Sequence, residues 1–165
     1  MSLLPLFLKL EGRRVVVVGD GAQTKVQALR EAGADVMLIQ RAFLDSDLDE
    51  AWLVLAASTP EVNRRVAAAA EARRIFCNAV DDPQSASAYM GGVVRRGGAT
   101  VAVSTDGHAP ALAGLLREAL EAVLPEELER WLDVAKAARA KWKAEGVEMK
   151  RRRPLLLEAL NETYR

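Results

Sequence analysis

The amino-acid sequence predicts an α/β fold, in which a parallel sheet with helical crossovers precedes a β-hairpin, a helix and a helical C-terminal region. Three observations support this prediction. Short β-branched runs alternate with helical patterns in the first half of the chain. Two strand-like runs then follow each other directly around a glycine pair. From Pro110 onward, apolar residues recur at helical spacing.

The first half of the chain contains four strand-like runs and two helical patterns. The strand-like runs are short and apolar, which is typical of strands that are buried on both faces of a parallel sheet. Gly33 follows the first helical pattern and Pro60 begins the second, as expected at helix ends and starts. In chain order, we predict a strand over 14–18, a helix over 23–32, strands over 36–39 and 52–57, a helix over 60–70 and a strand over 75–77.

The second half of the chain follows a different pattern. Residues 88–94 and 99–103 are strand-like, and residues 95–98 between them, Arg-Arg-Gly-Gly, indicate a hairpin. An apolar stripe at helical spacing predicts an amphipathic helix from Pro110 to about residue 123. Pro125 predicts the start of a second helix and Pro154 the start of a third, because proline is favoured in the first turn of a helix.

Composition and charge narrow the classes of function. The 165 residues include 23 basic and 23 acidic side chains, so the net charge gives no argument for binding nucleic acid or a membrane. Cys77 is the only cysteine, which excludes an internal disulfide bond and fits a reducing compartment. No run approaches the roughly 18 apolar residues that span a bilayer, and the N-terminus is a poor signal peptide. We therefore expect a cytoplasmic protein.

A glycine turn separates the first strand from the first helix. Gly19 and Gly21 stand where a dinucleotide-binding turn would lie, because glycines let backbone amides approach a pyrophosphate there. The third glycine of that pattern is replaced by Thr24, and the second strand is followed by Gln40 and Arg41 rather than an acidic residue. A purely structural turn is an equally good interpretation. An arginine at residue 41 would also suit a 2′-phosphate.

Two polar loops are further candidates for a site. Asp81 and Asp82 follow the last parallel strand, at the sheet edge where α/β proteins bind ligands, and either carboxylate can act as an acid or a base. An ordinary Asp–Pro turn is the alternative. The second loop leads into the helix at Pro110, whose free amides favour carboxylates and other anions. It consists of Ser104, Thr105, Asp106, Gly107 and His108. A single histidine cannot form a multi-histidine metal site, so we predict no bound metal.

Several segments, in the same order, resemble the precorrin-2 dehydrogenase/sirohydrochlorin ferrochelatase family, to which the N-terminal domain of siroheme synthase is similar. The resemblance runs from Leu4 to about Pro125. Its most specific part is an ordered pair of motifs. The first is Asn-Ala-Val-Asp-Asp-Pro at residues 78–83, and the second is Ser-Thr-Asp-Gly-His-Ala-Pro at residues 104–110. The glycine turn and the run at 52–59 also match.

This resemblance implies three regions: a shortened Rossmann-like NAD-binding domain over 1–87, a hairpin-plus-helix dimerisation region over 88–124, and a helical C-terminal region over 125–165. It implies a homodimer that oxidises the tetrapyrrole precorrin-2 to sirohydrochlorin with NAD as its cofactor. Asp81 lies at the family's catalytic aspartate. The family's cofactor turn corresponds to Gly19, Gly21, Ala22 and Gln23.

The resemblance also indicates how the substrate is bound and where this chain departs from the family. Arg117, together with the loop over 104–108, is expected to meet the carboxylates of the substrate. Family members usually have a further helix and strand where this chain has only the short stretch from Ile39 to Trp52, too short for a full crossover. Two alternatives therefore stay open: a sirohydrochlorin ferrochelatase without dehydrogenase activity, and a non-catalytic tetrapyrrole- or nucleotide-binding dimer.

Overall fold

The computed structural model describes residues 3–164, which divide into two compact units. The first unit contains the chain as far as Met90 together with Ser104–Ala109, and the second contains Gly91–Val103 and the chain from Pro110 onward. Among the described residues, no helix is both long enough and apolar enough to cross a membrane.

The first unit is a four-stranded parallel sheet with helices, which confirms the predicted α/β fold. The strand order is β2-β1-β3-β4, and every neighbouring pair of strands is parallel. The elements are β1 (Arg14–Gly19), α1 (Gln23–Glu31), β2 (Asp35–Ile39), a 3-10 turn (Asp45–Leu48), β3 (Leu53–Ala57), α2 (Pro60–Ala72) and β4 (Phe76–Ala79).

The two central strands are buried on both faces, because each face of the sheet has its own apolar cluster. Val15 and Val17 point to one face, where they pack with Leu29 of α1. Val16 and Val18 point to the other, where they pack with Val66 of α2. This alternation explains why β1 is an unbroken run of valines rather than a pattern of apolar and polar residues.

The connection between β2 and β3 carries the chain past β1 without an added α-helix or strand. It contains only the 3-10 turn Asp45–Leu48, whose Leu48 is fully buried in the core. As the sequence predicts, this connection lacks the further helix and strand that family members usually have. The prediction that the connection is too short for a crossover is wrong, because the chain does cross β1 here. Strand order therefore reverses between β1 and β3. In open α/β sheets this reversal opens a crevice at the carboxyl ends of the strands.

The second unit contains a hairpin and three helices. Its elements are β5 (Gly92–Arg96), β6 (Ala99–Val103), α3 (Pro110–Val123), α4 (Leu128–Ala144) and α5 (Met149–Glu162). The predicted limits of the hairpin are wrong at two places. Residues 88–91 are not part of the strand, and Arg95 and Arg96 lie within β5, paired with Thr100 and Ala99. The turn is the pair Gly97–Gly98 alone, because both residues have the positive φ that a two-residue hairpin turn requires.

The predicted starts of the last two helices also need correction. α4 begins at Leu128, three residues after Pro125, so that proline lies in the preceding loop. Pro154 lies inside α5, which already begins at Met149. The lysine and arginines over 150–153 are good helix formers, and they extend the helix ahead of the proline. Pro154 lacks the amide that would otherwise bond to the carbonyl of Lys150.

Candidate functional site

The candidate site lies at the carboxyl edge of the parallel sheet, where the strand order reverses. Gly19 ends β1 and is in register with Ala57, which ends β3. A pocket of about 360 Å³ opens at this edge within the first unit. Its walls consist of Gly21, Ala57, Ser58, Pro60, Asn63, Arg64, Val80, Asp81 and Asp82.

The two glycines of the turn hold it tightly against β3. Gly19 has a φ of +97°, and a Cβ placed there would lie 2.4 Å from the carbonyl oxygen of Ala57. The amide of Gly21 donates to the same oxygen at 3.1 Å, and a Cβ on Gly21 would approach it to 3.0 Å. Gly19 therefore needs glycine for reasons of packing as well as backbone conformation, whereas Gly21 needs it for packing alone. Because the Gly21 amide is already bonded, the ligand-facing amides must come from the residues that follow.

Those amides lie in the first turn of α1. Ala22 is the N-cap, and no described side chain caps this end of the helix. The amides of Gln23, Thr24 and Lys25 have no acceptor within the helix, because the first turn lacks a preceding one. The first turn also contains no acidic residue. A positively polarised helix end beside a glycine turn fits the pyrophosphate of a dinucleotide.

Asn63 joins the loops that follow β3 and β4. Its side chain is 2% exposed and projects from α2. The Oδ1 atom accepts from the amide of Ser58 at 2.9 Å, and Nδ2 donates to the carbonyl of Val80 at 3.3 Å. The Val80 amide in turn donates to the carbonyl of Ala56 at 2.8 Å. This network positions Asp81, the next residue, at the mouth of the pocket.

A lysine and an asparagine lie beside Asp81. The Nζ of Lys25 donates to Oδ1 of Asn78 at 3.2 Å, and Nδ2 of Asn78 donates to the carbonyl of Ala88 at 2.9 Å. Burial lowers the pKa of the Lys25 ammonium, and the charge of the nearby Asp81 carboxylate offsets part of that effect. Asp81 itself has a φ of +58°, in the left-handed region that L residues seldom adopt. The structure thus presents a strained, acidic residue next to a half-buried cation.

The two aspartates of the first polar loop have different surroundings. The carboxylate of Asp82 accepts from the hydroxyl of Ser85 at 2.8 Å and from the amide of Ser85 at 3.4 Å. Asp82 therefore closes its own turn, as the Asp–Pro interpretation expects. Of the two carboxylates, Asp81 is the better candidate for acid–base chemistry.

The second polar loop packs against the first. A Cβ on Gly107 would lie 3.0 Å from the Cβ of Pro83 and 3.2 Å from the Cε1 of Tyr89. The Tyr89 hydroxyl donates to the carbonyl of Pro83 at 2.8 Å. Gly107 is therefore required for close approach, and its φ of +77° needs glycine as well. The structure brings the loop over 104–108 to the same edge of the first unit as Asp81.

Within the second loop, hydroxyl groups hold the backbone. Ser104 Oγ accepts from the amide of Asp106 at 3.1 Å, and Thr105 Oγ1 accepts from the amide of Ala109 at 3.3 Å. The His108 amide donates to the carbonyl of Thr105 at 2.9 Å. These bonds occupy acceptor lone pairs and leave each hydroxyl hydrogen able to donate to a ligand.

Arg117 belongs to α3, in the second unit. Its guanidinium pairs with Glu121 at 2.8 Å and with Glu118 at 3.2 Å along the same helix. The structure therefore engages Arg117 with its own helix and does not place it with the other predicted residues in one unit.

Comparison with known proteins assigns the family. Residues 6–92 match a family model described as "Putative NAD(P)-binding". The chain belongs to this family. The matched range contains the glycine turn, α1 and the loop with Asp81. Membership of the family supports a nicotinamide dinucleotide as the class of ligand for the glycine turn.

The chain is also similar to siroheme synthases, as the sequence motifs predict. It is 40% identical to siroheme synthase 2 of Klebsiella pneumoniae subsp. pneumoniae, over 93% of this chain and 38% of that protein. The siroheme synthases of Citrobacter koseri and Salmonella arizonae are 39% and 38% identical, with the same coverage. The chain thus spans 38% of the length of these relatives.

A solved structure shares the fold. SirC, a precorrin-2 dehydrogenase, matches with a TM-score of 0.68 at 19% identity, over 94% of this chain and 88% of that chain. The predicted α/β architecture is therefore confirmed by a known structure as well as by the sheet topology.

Sequence reasoning missed three residues of the candidate site. Lys25 and Asn63 lie on helices, and Arg64 lines the pocket together with Asn63. One signal was available for Asn63, since it is a polar residue on the same helical stripe as the apolar Val66 and Ala70. Nothing in the local sequence indicates that Lys25 reaches Asn78, because the two are 53 residues apart.

Proposed function

We propose that this chain is an oxidoreductase of siroheme biosynthesis, which oxidises precorrin-2 to sirohydrochlorin with NAD in the cytoplasm. The observation that carries the proposal is the convergence of the glycine turn, the α1 N-terminus and Asp81 at one edge of the parallel sheet. The relatives named as siroheme synthases support the choice of pathway.

The glycine turn and the first turn of α1 would hold the cofactor. Gly19 and Gly21 keep the turn close to β3, and the amides that begin at Ala22 and Gln23 would bind the pyrophosphate. When bound, the nicotinamide dinucleotide supplies the acceptor for the hydride.

Asp81 would accept the proton that the substrate loses as its hydride departs. The Lys25 ammonium lies within electrostatic reach of Asp81, and a carboxylate is a suitable general base for this step. The network around Asn63 holds the loop that carries Asp81, so the base does not have to be ordered when the substrate arrives.

The loop over 104–108 would bind substrate carboxylates. Its members are Ser104, Thr105, Asp106, Gly107 and His108. The hydroxyls of Ser104 and Thr105 are the suitable donors, because the amides of Asp106 and His108 already donate within the loop. Arg117 stays a prediction in the same role, because its guanidinium would have to leave Glu121 and Glu118 to bind a carboxylate.

We further propose a homodimer in which a second copy covers the outer face of α3. Large apolar side chains on that helix are exposed, among them Leu112 at 49%, Leu115 at 64% and Val123 at 73%. An apolar face of this kind is typical of a subunit interface.

The test is turnover of freshly generated precorrin-2 under anaerobic conditions, with NAD and NADP supplied separately. We expect sirohydrochlorin absorbance and reduced-nicotinamide fluorescence to rise together with NAD. Asp81→Asn should lower kcat by roughly 10²–10⁴-fold, the usual range for loss of a general base. Asp82→Asn is the matched control and should retain most of the activity, because Asp82 serves its own turn.

One outcome would contradict the dehydrogenase: no turnover with either cofactor by a folded dimer would exclude it. Iron insertion into sirohydrochlorin by that same inactive preparation would favour the chelatase instead. The connection between β2 and β3, which lacks an added helix and strand, is the observation that keeps this second candidate in view. Tight tetrapyrrole binding without either reaction would favour the non-catalytic dimer.

A further inference from the structure

We infer that Asp47 determines which nicotinamide dinucleotide this site accepts, by neutralising Arg41 at the end of β2. The inference rests on the proposed function. Its starting point is the register of the sheet, in which Ile39, the last residue of β2, pairs with Val18 next to the glycine turn. Arg41 follows two residues later, at the same carboxyl edge.

The end of β2 is where sheets of this kind distinguish the two dinucleotides. An acidic residue there bonds to the ribose 2′-hydroxyl of NAD, whereas an arginine receives the 2′-phosphate of NADP. On the sequence alone, Gln40 and Arg41 therefore favour a 2′-phosphate. The tertiary structure reverses that expectation.

Arg41 is engaged by a carboxylate from the 3-10 turn. Its Nη2 atom lies 2.6 Å from Oδ1 of Asp47, and its Nη1 atom lies 2.9 Å from Oδ2. Nη1 also donates to the carbonyl of Ala42 at 2.9 Å. This bidentate geometry is the strongest that a guanidinium and a carboxylate can form. The ion pair with Asp47 therefore occupies the two terminal nitrogens with which the Arg41 guanidinium would bind a 2′-phosphate.

Asp47 is well placed to keep its charge. Its side chain is 5% exposed, and Oδ2 also accepts from the amide of Leu44 at 2.9 Å. The bond from Arg41 lowers the pKa of Asp47, so the carboxylate is ionised at neutral pH. A buried carboxylate is tolerated only when it is paired in this way.

The pair as a whole is electrically neutral, although the guanidinium is 54% exposed. A 2′-phosphate approaching it would meet the negative charge of Asp47 together with the positive charge of Arg41, and would gain little. The 2′-hydroxyl of NAD carries no charge, so neutralising Arg41 does not weaken its binding. The pair therefore favours NAD, because the Arg41 charge that would attract the 2′-phosphate of NADP is already neutralised by Asp47.

The experiment measures the dissociation constants of NAD and NADP for the full chain and for Asp47→Asn by isothermal titration. We expect the wild type to prefer NAD. The variant frees the charge of Arg41, so NADP binding should tighten about tenfold, the order of one exposed charge pair at low salt. NAD binding should change much less, and the gain for NADP should shrink as salt is raised.

The same 3-10 turn offers a matched control. Asp45 also pairs with an arginine, Arg65, at 3.3 Å, but both side chains are more than half exposed. Asp45→Asn should leave the ratio of the two constants unchanged. Adding Arg41→Gln to Asp47→Asn should abolish the gain for NADP. If Asp47→Asn does not fold, Asp47→Ser replaces it, since a serine hydroxyl can still accept from the Leu44 amide.

The outcomes separate this inference from the proposed function. An Asp47 variant that binds NAD normally and NADP no better than the wild type does overturns the inference alone. A wild type that prefers NADP overturns the inference and the choice of NAD in the proposed function, but not the dinucleotide-dependent oxidation itself. A folded wild type that binds neither dinucleotide overturns the proposed function, and the inference with it.

Discussion

At the scale of single residues, backbone conformation and close approach explain the turn that begins the site. Gly19 combines a φ of +97° with a hypothetical Cβ 2.4 Å from the Ala57 carbonyl oxygen. Gly12 has a similarly positive φ of +66°, but its Cβ would meet nothing within 4 Å. A substitution at Gly12 would therefore introduce backbone strain alone, whereas a substitution at Gly19 would add a steric clash.

We predict that Gly19→Ala lowers the free energy of unfolding by more than Gly12→Ala does. The Gly12 variant should lose about 1–2 kcal/mol, the cost of a left-handed L residue, whereas the Gly19 variant must also displace β3 and should lose roughly 3 kcal/mol or more. Urea unfolding of both variants measures the difference. Equal losses would mean that the close approach to Ala57 adds nothing to the loss in the free energy of unfolding.

Cys77 is a residue whose thiol reactivity is lowered by its burial in the core. The side chain is buried in the core of the first unit, and burial raises the pKa of its thiol to about 11. The thiolate is the reactive form of cysteine. The only cysteine of the chain is therefore a packing residue.

At the scale of elements, Asn63 links α2 to the ends of β3 and β4. Its amide group joins Ser58 to Val80, and its side chain is buried, so water cannot replace either bond. The neighbouring residues on the same stripe of α2 are apolar. The helix thus contributes both to the core and to the geometry of the pocket.

We predict that Asn63→Ala lowers the free energy of unfolding by about 1–3 kcal/mol, the cost of leaving a buried polar group unpaired. The variant should also weaken turnover, because the loop that carries Asp81 loses its anchor. Asn161→Ala on α5 is the control, since Asn161 is exposed, and it should stay within about 0.5 kcal/mol of the wild type. Thermal and urea unfolding report the effect, and a loss no larger than that of the control would contradict this role of Asn63.

The elements also show where local patterns are reliable. The strands β1 and β3 and the helices α1 and α2 lie within one or two residues of the predicted limits. The predicted limits are wrong where a residue type is compatible with two kinds of local structure. The local pattern predicts that Pro154 starts a helix, but the proline lies inside one. It also places Arg95 and Arg96 in the hairpin turn, but both lie in β5 and the two glycines form the turn alone.

At the scale of the whole molecule, the proposed dimer accounts for apolar surface that one copy leaves exposed. Leu115 is 64% exposed on α3, and Leu116 is 42% exposed beside it. Neither contributes to the buried clusters of the first unit. A second copy would remove this surface from water.

We predict that Leu115→Glu converts a dimer to a monomer, because the interface would have to bury an unpaired charge. Sedimentation velocity across a range of protein concentrations measures the change. Leu38→Glu introduces the same charge at a side chain of β2 that is 42% exposed, and it should leave the dimer intact. A wild type that sediments as a monomer at all concentrations would exclude the dimer itself.

By itself, the sequence determined the α/β class, the order of the elements and the position of the glycine turn, and its resemblance to the family made Asp81 rather than Asp82 the candidate base. These inferences depend on local signals, namely the spacing of apolar residues, the positions of glycine and proline, and short ordered motifs.

Only the tertiary structure decided which polar groups act together at the site. Lys25 reaches Asn78 across 53 positions, and Asn63 reaches Val80 across 17. Asp47 neutralises Arg41 because the 3-10 turn folds back toward the end of β2. Such contacts depend on how the strands are ordered and how the connections run. No pattern along the chain contains that information.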